Sequence, residues 1–105
     1  MTGEDSSAGQ HILFVRITSD LGQEELIRRM SERFGSFDDV HGLVEKRFGL
    51  DEETGDICGA YVFEDRPSLD AYLSSPLAKA IAQTYEASEV RREVYANLHS
   101  VTGTG

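Results

Sequence analysis

Lys46, Tyr61 and Tyr72 are the residues on which chemistry is most readily built, because the pairing of two short segments would bring an ammonium and phenols together. The segments are 42–50 (GLVEKRFGL) and 57–64 (ICGAYVFE). Between them lies DEETGD, a polar stretch ending in Gly-Asp that reads as a hairpin loop. Matching Leu50 with Ile57 sets Phe48 opposite Gly59, Lys46 opposite Tyr61 and Val44 opposite Phe63, with these six side chains on one face. Tyr72 and Phe34, from the two helical regions, are expected to close over that face and leave a pocket. A mostly apolar pocket holding a phenol and an ammonium suits a flat aromatic or phenolic molecule. Lys46 would stabilise a phenolate or enolate there, and Tyr61 would orient it. The competing reading is a lysine that snorkels from an edge strand, its stem on Tyr61 and its head in water. A slip of one residue in the hairpin would also move Lys46 to the other face.

Other reactive residues carry less. His41 precedes the second strand and is a candidate general base at the pocket mouth, or simply a surface histidine. Arg16 is either the counter-ion of a buried acid or ligand, or a partner of Glu45 or Glu93 at a subunit contact. Arg47 and Glu45, alternating with Lys46, suit such a contact better than catalysis. Cys58 cannot form an internal disulfide, being the one cysteine in 105 residues, and is expected to be a small buried strand residue. His11, His41 and His99 show no ligand spacing, so no metal site is expected. No phosphate loop, dinucleotide fingerprint or nucleophile elbow is present, so no cofactor is expected.

The elements that must position these residues can be read from periodicity. Residues 11–18 (HILFVRIT) form a strand that is apolar on both faces. Asp20, with Gln23 as the partner in a capping box, is expected to start a helix. Its stripe is Leu26, Ile27, Met30 and Phe34, and Gly35 is its C′ residue. After the hairpin, Asp65 or Arg66 caps a second helix with Pro67 in its first turn and Leu69, Tyr72 and Leu73 inward. Ser75-Pro76 breaks it and opens another, with Leu77, Ala80, Ile81 and Tyr85 inward. Residues 88–99 are the last strand, with Val90, Val94, Ala96 and Leu98 on one face. The order βαββαβ predicts an α+β ferredoxin-like domain over residues 11–99: a four-stranded antiparallel sheet with both helices on one face. Residues 1–10 and 100–105 are polar, small-residue segments expected to be flexible tails.

Strands one and three, in the middle of such a sheet, are apolar on both sides. Helices cover only one side, and a bare apolar face is unstable in water. A homodimer paired through the open sheet face is therefore expected. The net charge of −9 disfavours nucleic acid and anionic lipid surfaces. The N-terminus lacks a signal-peptide pattern, and no apolar run approaches the roughly 18 residues of a membrane span, so a cytoplasmic location is expected.

The stretch Gly42-Leu43-Val44-Glu45-Lys46-Arg47-Phe48, followed by Glu52-Glu53-Thr54-Gly55, resembles the second strand and hairpin loop of the YdhR-type monooxygenases. Residues 58–65 (CGAYVFED) are similar to that family's Gly-Gly-Ile-Tyr-Leu-Phe-x-Asp run, and residues 68–73 (SLDAYL) continue the match. The resemblance implies a dimeric α/β barrel related to the antibiotic-biosynthesis monooxygenases. Some of these oxidise phenolic polyketides with molecular oxygen and neither metal nor flavin. Lys46, Tyr61, Phe63 and Tyr72 fall on matching positions. The chain departs at the second strand, where relatives often carry tryptophan and this sequence has Glu45 and Phe48, and at Cys58, which replaces a glycine.

The expected function is a cofactor-independent monooxygenase acting on a small aromatic or polyketide-like molecule. Lys46, Tyr61 and His41 would be its catalytic groups, and Phe34, Phe48, Phe63 and Tyr72 would line the substrate. Two alternatives remain on this scaffold: a non-catalytic dimer that holds a small ligand, and an isomerase, cyclase or lyase.

Overall fold

The computed structural model describes residues 9–103. The expected N-terminal tail lies outside the described residues except for Gly9 and Gln10, as do the last two residues of the C-terminal one. The elements are β1 (His11–Ser19), α1 (Gln23–Ser31), a 3₁₀ turn (Phe34–Phe37), β2 (Leu43–Leu50), β3 (Ile57–Phe63), α2 (Arg66–Leu73), α3 (Pro76–Lys79), α4 (Ile81–Thr84) and β4 (Ala87–Ala96). The sheet is antiparallel in the order β2-β3-β1-β4, the ferredoxin-like arrangement. Leu13, Val15 and Ile17 of β1, with Ile57, Tyr61 and Phe63 of β3, pack under Leu26, Met30, Phe37, Leu69, Tyr72 and Ile81 in one core.

The hairpin pairs Leu50 with Ile57, Phe48 with Gly59 and Lys46 with Tyr61, but the expected Val44–Phe63 pair does not form. A bulge between Leu43 and Glu45 sets Leu43 opposite Phe63, and Val44 stands out, 55% exposed. The extra residue is absorbed where β2 leaves Gly42, whose φ of +78° turns the chain into the strand.

The helices also start and stop elsewhere than expected. Gly22, not Asp20, is the N-cap of α1, with no side-chain cap bond. Ser19 holds the preceding turn instead, accepting from Leu21 N at 3.2 Å and donating to Tyr85 O at 2.7 Å. Helix α1 ends at Ser31, and Gly35 lies within the 3₁₀ turn rather than at a left-handed C′ position. That tighter turn carries Phe37 into the core and leaves Phe34 half-exposed. Asp65 caps α2 by accepting from Ser68 N at 2.8 Å, and Ser75 caps α3 by accepting from Ala78 N. Ala78, not Ala80, is the fully buried alanine of this stretch. β4 ends three residues early, and Leu98 is 90% exposed because it lies beyond the last β1 partner.

The second sheet face carries Ile12, Phe14 and Arg16 of β1 beside Cys58, Ala60 and Val62 of β3, all partly exposed. Cys58 is thus on this face, not in the core. Arg16 donates to Asp56 at 2.8 Å and to Asp51 at 2.5 Å, so it pins the β2–β3 loop rather than meeting Glu45 or Glu93. The guanidinium pulls the Asp51 carboxyl down to about 2. Glu45 pairs instead with Arg47, at 2.7 Å.

Candidate active site

The register fixes where Lys46 points. Because Lys46 lies opposite Tyr61 on the helix-covered face, its head turns inward and donates to Tyr61 Oη at 2.8 Å. Tyr61 Oη lies 3.0 Å from Tyr72 Oη on α2, so ammonium and phenols form one chain. Three rings box the lysine head: Phe37, Phe48 and Tyr61, with centroids 3.9, 4.0 and 4.1 Å from Nζ. Gly59 leaves room for it, since a Cβ there would stand 3.4 Å from Nζ and 3.0 Å from the Tyr61 ring. Burial, reinforced by the charge on Arg33, brings the Lys46 pKa down to about 7. The Tyr61 phenol is pushed far up, by burial and then by Tyr72, so it stays protonated. Burial likewise raises Tyr72 and Tyr85.

Phe34 covers the outer side of Phe48, with ring centroids 4.7 Å apart. Phe63 is fully buried behind the phenols, stacked on Tyr61 at 6.1 Å and tilted against Tyr72 at 5.6 Å. Lys46, Tyr61, Tyr72, Phe48 and Phe34 therefore meet, with Phe63 as backing. His41 is not with them. Its side chain is 88% exposed, lies 3.8 Å from Glu64, and lines an outer groove of about 480 Å³ between the 39–41 segment and α2–α3.

Two residues of the cluster were not singled out from the sequence. Phe37 supplies one wall of the lysine box. Arg33 is buried just before the 3₁₀ turn and donates to Leu77 O at 2.8 Å and Thr84 Oγ1 at 3.3 Å. A signal existed: Leu26, Met30, Arg33 and Phe37 follow the i, i+4, i+7, i+11 spacing of a buried stripe. Arg33, Lys46, Phe48, Tyr61 and Tyr85 all line one cavity of about 20 Å³ between sheet and helices, enough for a single water. Among the described residues no cluster suits a metal ion.

The family model described as "Putative mono-oxygenase ydhR" matches residues 12–104. The chain belongs to the ydhR family. The ydhR match reaches every element of the fold just described, beginning one residue into β1. No curated protein matches the sequence. Among solved structures, the chain is similar to SnoaB, a cofactor-independent oxygenase from Streptomyces nogalater, at 13% identity and TM-score 0.74, covering 91% of this chain and 100% of that one. It is similar also to a Deinococcus radiodurans protein described as "a putative antibiotic biosynthesis monooxygenase", at 9% identity and TM-score 0.71, over 91% and 99% of the two chains. The NE2512 protein of Nitrosomonas europaea matches at 19% identity and TM-score 0.72, over 91% and 96%. At these identities the likenesses show the fold alone; the family match supports a monooxygenase-like function in general terms. No helix among the described residues is long and apolar enough to cross a membrane.

Proposed function

We propose that this chain is a cofactor-independent monooxygenase for a small aromatic or polyketide-like phenol, with Lys46 as its base. The observation that carries this reading is the boxed lysine: an amine near neutrality, hydrogen-bonded to a protonated phenol within a wall of rings. A general base is most effective when its pKa lies near the working pH. Neutral Lys46 would take the substrate's phenolic proton, leaving an ammonium beside the new phenolate. The anion would pass one electron to O₂. The substrate radical and superoxide would combine to form the C–O bond, and loss of water would leave a quinone. The substrate supplies all the electrons, and the second oxygen atom leaves in that water. Tyr61 and Tyr72 orient the oxygen anion. The family membership, and the fold shared with the cofactor-independent oxygenase SnoaB, support the same class.

The cavity has room for about one water, so a ring can enter only if the wall opens. Phe34, half-exposed over Phe48, is the wall residue with least to hold it. The test is oxygen consumption by metal-free protein over dihydroxyaromatics. Uptake is expected, with kcat/KM rising through about pH 7 as Lys46 loses its proton and falling through the substrate's own pKa. Bound substrate with no uptake above buffer rejects the oxygenase.

We also propose that the functional unit is a homodimer joined through the second sheet face. Ile12, Phe14, Ala60 and Val62 support this, as does a groove of about 360 Å³ between Phe14, Arg16, Arg91 and Glu93. Sedimentation should find dimers at micromolar concentration, and Phe14→Glu should shift them to monomers; monomers in the parent protein reject the pairing. A ligand-holding dimer without turnover is favoured by one observation, the larger outer groove beside Tyr72. It predicts ligand-dependent thermal stabilisation and ligand recovered unchanged. An isomerase or cyclase would give product with no oxygen consumed.

A further inference from the structure

Arg33 and, in its protonated form, Lys46 are cationic side chains turned into the protein, and among the described residues neither forms an ion pair. This is notable in a chain with 19 acidic residues against 10 basic ones. Buried charges are ordinarily paired, because an uncompensated one keeps the full penalty of leaving water. Here the Arg33 acceptors are neutral: the Leu77 carbonyl and the Thr84 hydroxyl. The Lys46 contacts are neutral too: a phenol and three ring faces. The two cations line the same cavity and share a ring, for Arg33 Cζ lies 5.7 Å and Lys46 Nζ 3.9 Å from the centroid of Phe37. The groups around them are the phenols Tyr61, Tyr72 and Tyr85, which burial keeps protonated and uncharged. The cavity thus has positive potential, aromatic walls and, among the described residues, no resident counter-charge.

We propose that Arg33 and Lys46 form a single anion subsite, and that the ligand occupies it as a flat conjugated anion whose ionised oxygen is the missing counter-charge. This rests on the Lys46 cavity being the ligand site, but not on turnover. It makes Arg33 a specificity-determining residue: it selects ligands that carry a phenolate or a carboxylate over neutral molecules of the same shape. An anion held by an arginine gains charge-assisted hydrogen bonds that a neutral isostere does not make.

The test uses three probes of one shape on the purified full chain: 4-nitrophenol, 4-nitrobenzoate and 4-nitroanisole. At least one anion should bind about tenfold more tightly than the neutral ether, which is the scale of one charge-assisted contact. Whether nitrophenol or nitrobenzoate is favoured distinguishes phenolate from carboxylate ligands. If it is the phenol, its bound form should show phenolate absorbance in buffer below its own pKa. Arg33→Met should bring the probes to within about threefold of one another, while Arg33→Lys, which keeps the charge but not the guanidinium bonds to α3 and α4, should retain the preference. Dichroism checks that both variants fold. The proposal is overturned if the ether binds as well as both anions, if no probe binds, if Arg33→Met keeps the preference, or if Arg33→Lys loses it as fully as Arg33→Met. Oxygen uptake is measured separately. Anion preference without uptake ends the oxygenase reading alone, and uptake without anion preference ends this one alone.

Discussion

Replacing Gly42 by alanine is expected to remove about 3 kcal/mol of folding stability, from a left-handed backbone and a steric clash acting together. Gly42 has a φ of +78°, and a Cβ on it would lie 2.2 Å from Ser68 Oγ and 2.4 Å from Ser68 Cβ. The closeness follows from the sequence around it. Asp65 caps α2 through Ser68 N, which fixes the first turn of the helix, and Glu64 N donates to Gly42 O at 2.8 Å. The entry to β2, the exit from β3 and the start of α2 are thereby pinned at one point, and Ser68 is buried there. Gly55→Ala is the control: its φ is +83° but nothing lies within 4 Å of the added carbon, so about 1 kcal/mol of backbone strain is all it should lose. The difference between the two variants in urea unfolding isolates the clash. Ser68→Ala should not rescue Gly42→Ala, because the Ser68 Cβ is itself too close. Equal losses at positions 42 and 55 would show that α2 yields freely and that Tyr72, one turn after Ser68, is not held rigidly against Tyr61.

That junction also shows which parts of the structure were legible beforehand. The hairpin register could be read to within a slip of one residue from the loop DEETGD, and from the Leu50–Ile57 pairing the Lys46–Tyr61 contact followed. The bulge at Val44 could not, because it depends on how Gly42 meets α2, a contact across 26 residues rather than a local preference. The element order βαββαβ placed β1 and β3 in the middle of the sheet, and their two apolar faces agree with that place. The end of α1 misled because Gly35 carries the usual stop signal, whereas burial of Phe37 favoured a continued right-handed turn. Ile27 and Phe34, assigned to the buried stripe, are 44% and 50% exposed. The true stripe runs through Arg33, and a charged side chain is not ordinarily assigned to a core. The lysine was found because its neighbours in a strand alternate strictly. The arginine was missed because the same evidence on a helix requires accepting a cation among apolar residues.

Lys46→Met is expected to change activity and stability in opposite directions. Methionine fills similar space without the amine, so oxygen uptake should fall by about 10²- to 10⁴-fold, the usual contribution of a positioned general base. The limb of the pH profile near 7 should vanish with it. Stability follows from proton linkage. In the unfolded chain Lys46 holds its proton up to about 10.5, whereas in the folded chain burial and Arg33 reduce that to about 7. Between these values the unfolded state binds more protons, so the lysine's contribution to stability rises with pH across that window, and below about 7 its penalty is fully in force. Attraction to three ring faces and the bond to Tyr61 are lost in the variant and offset part of the gain. The net expectation is a variant more stable than the parent by about 2–3 kcal/mol below pH 7, with the gap closing toward pH 10.5. Urea midpoints of both proteins across this range decide it. A variant less stable than the parent by a constant amount at every pH would mean that the ammonium is welcome in the folded state. The site would then hold a structural cation instead of a base kept near neutrality at the expense of the fold.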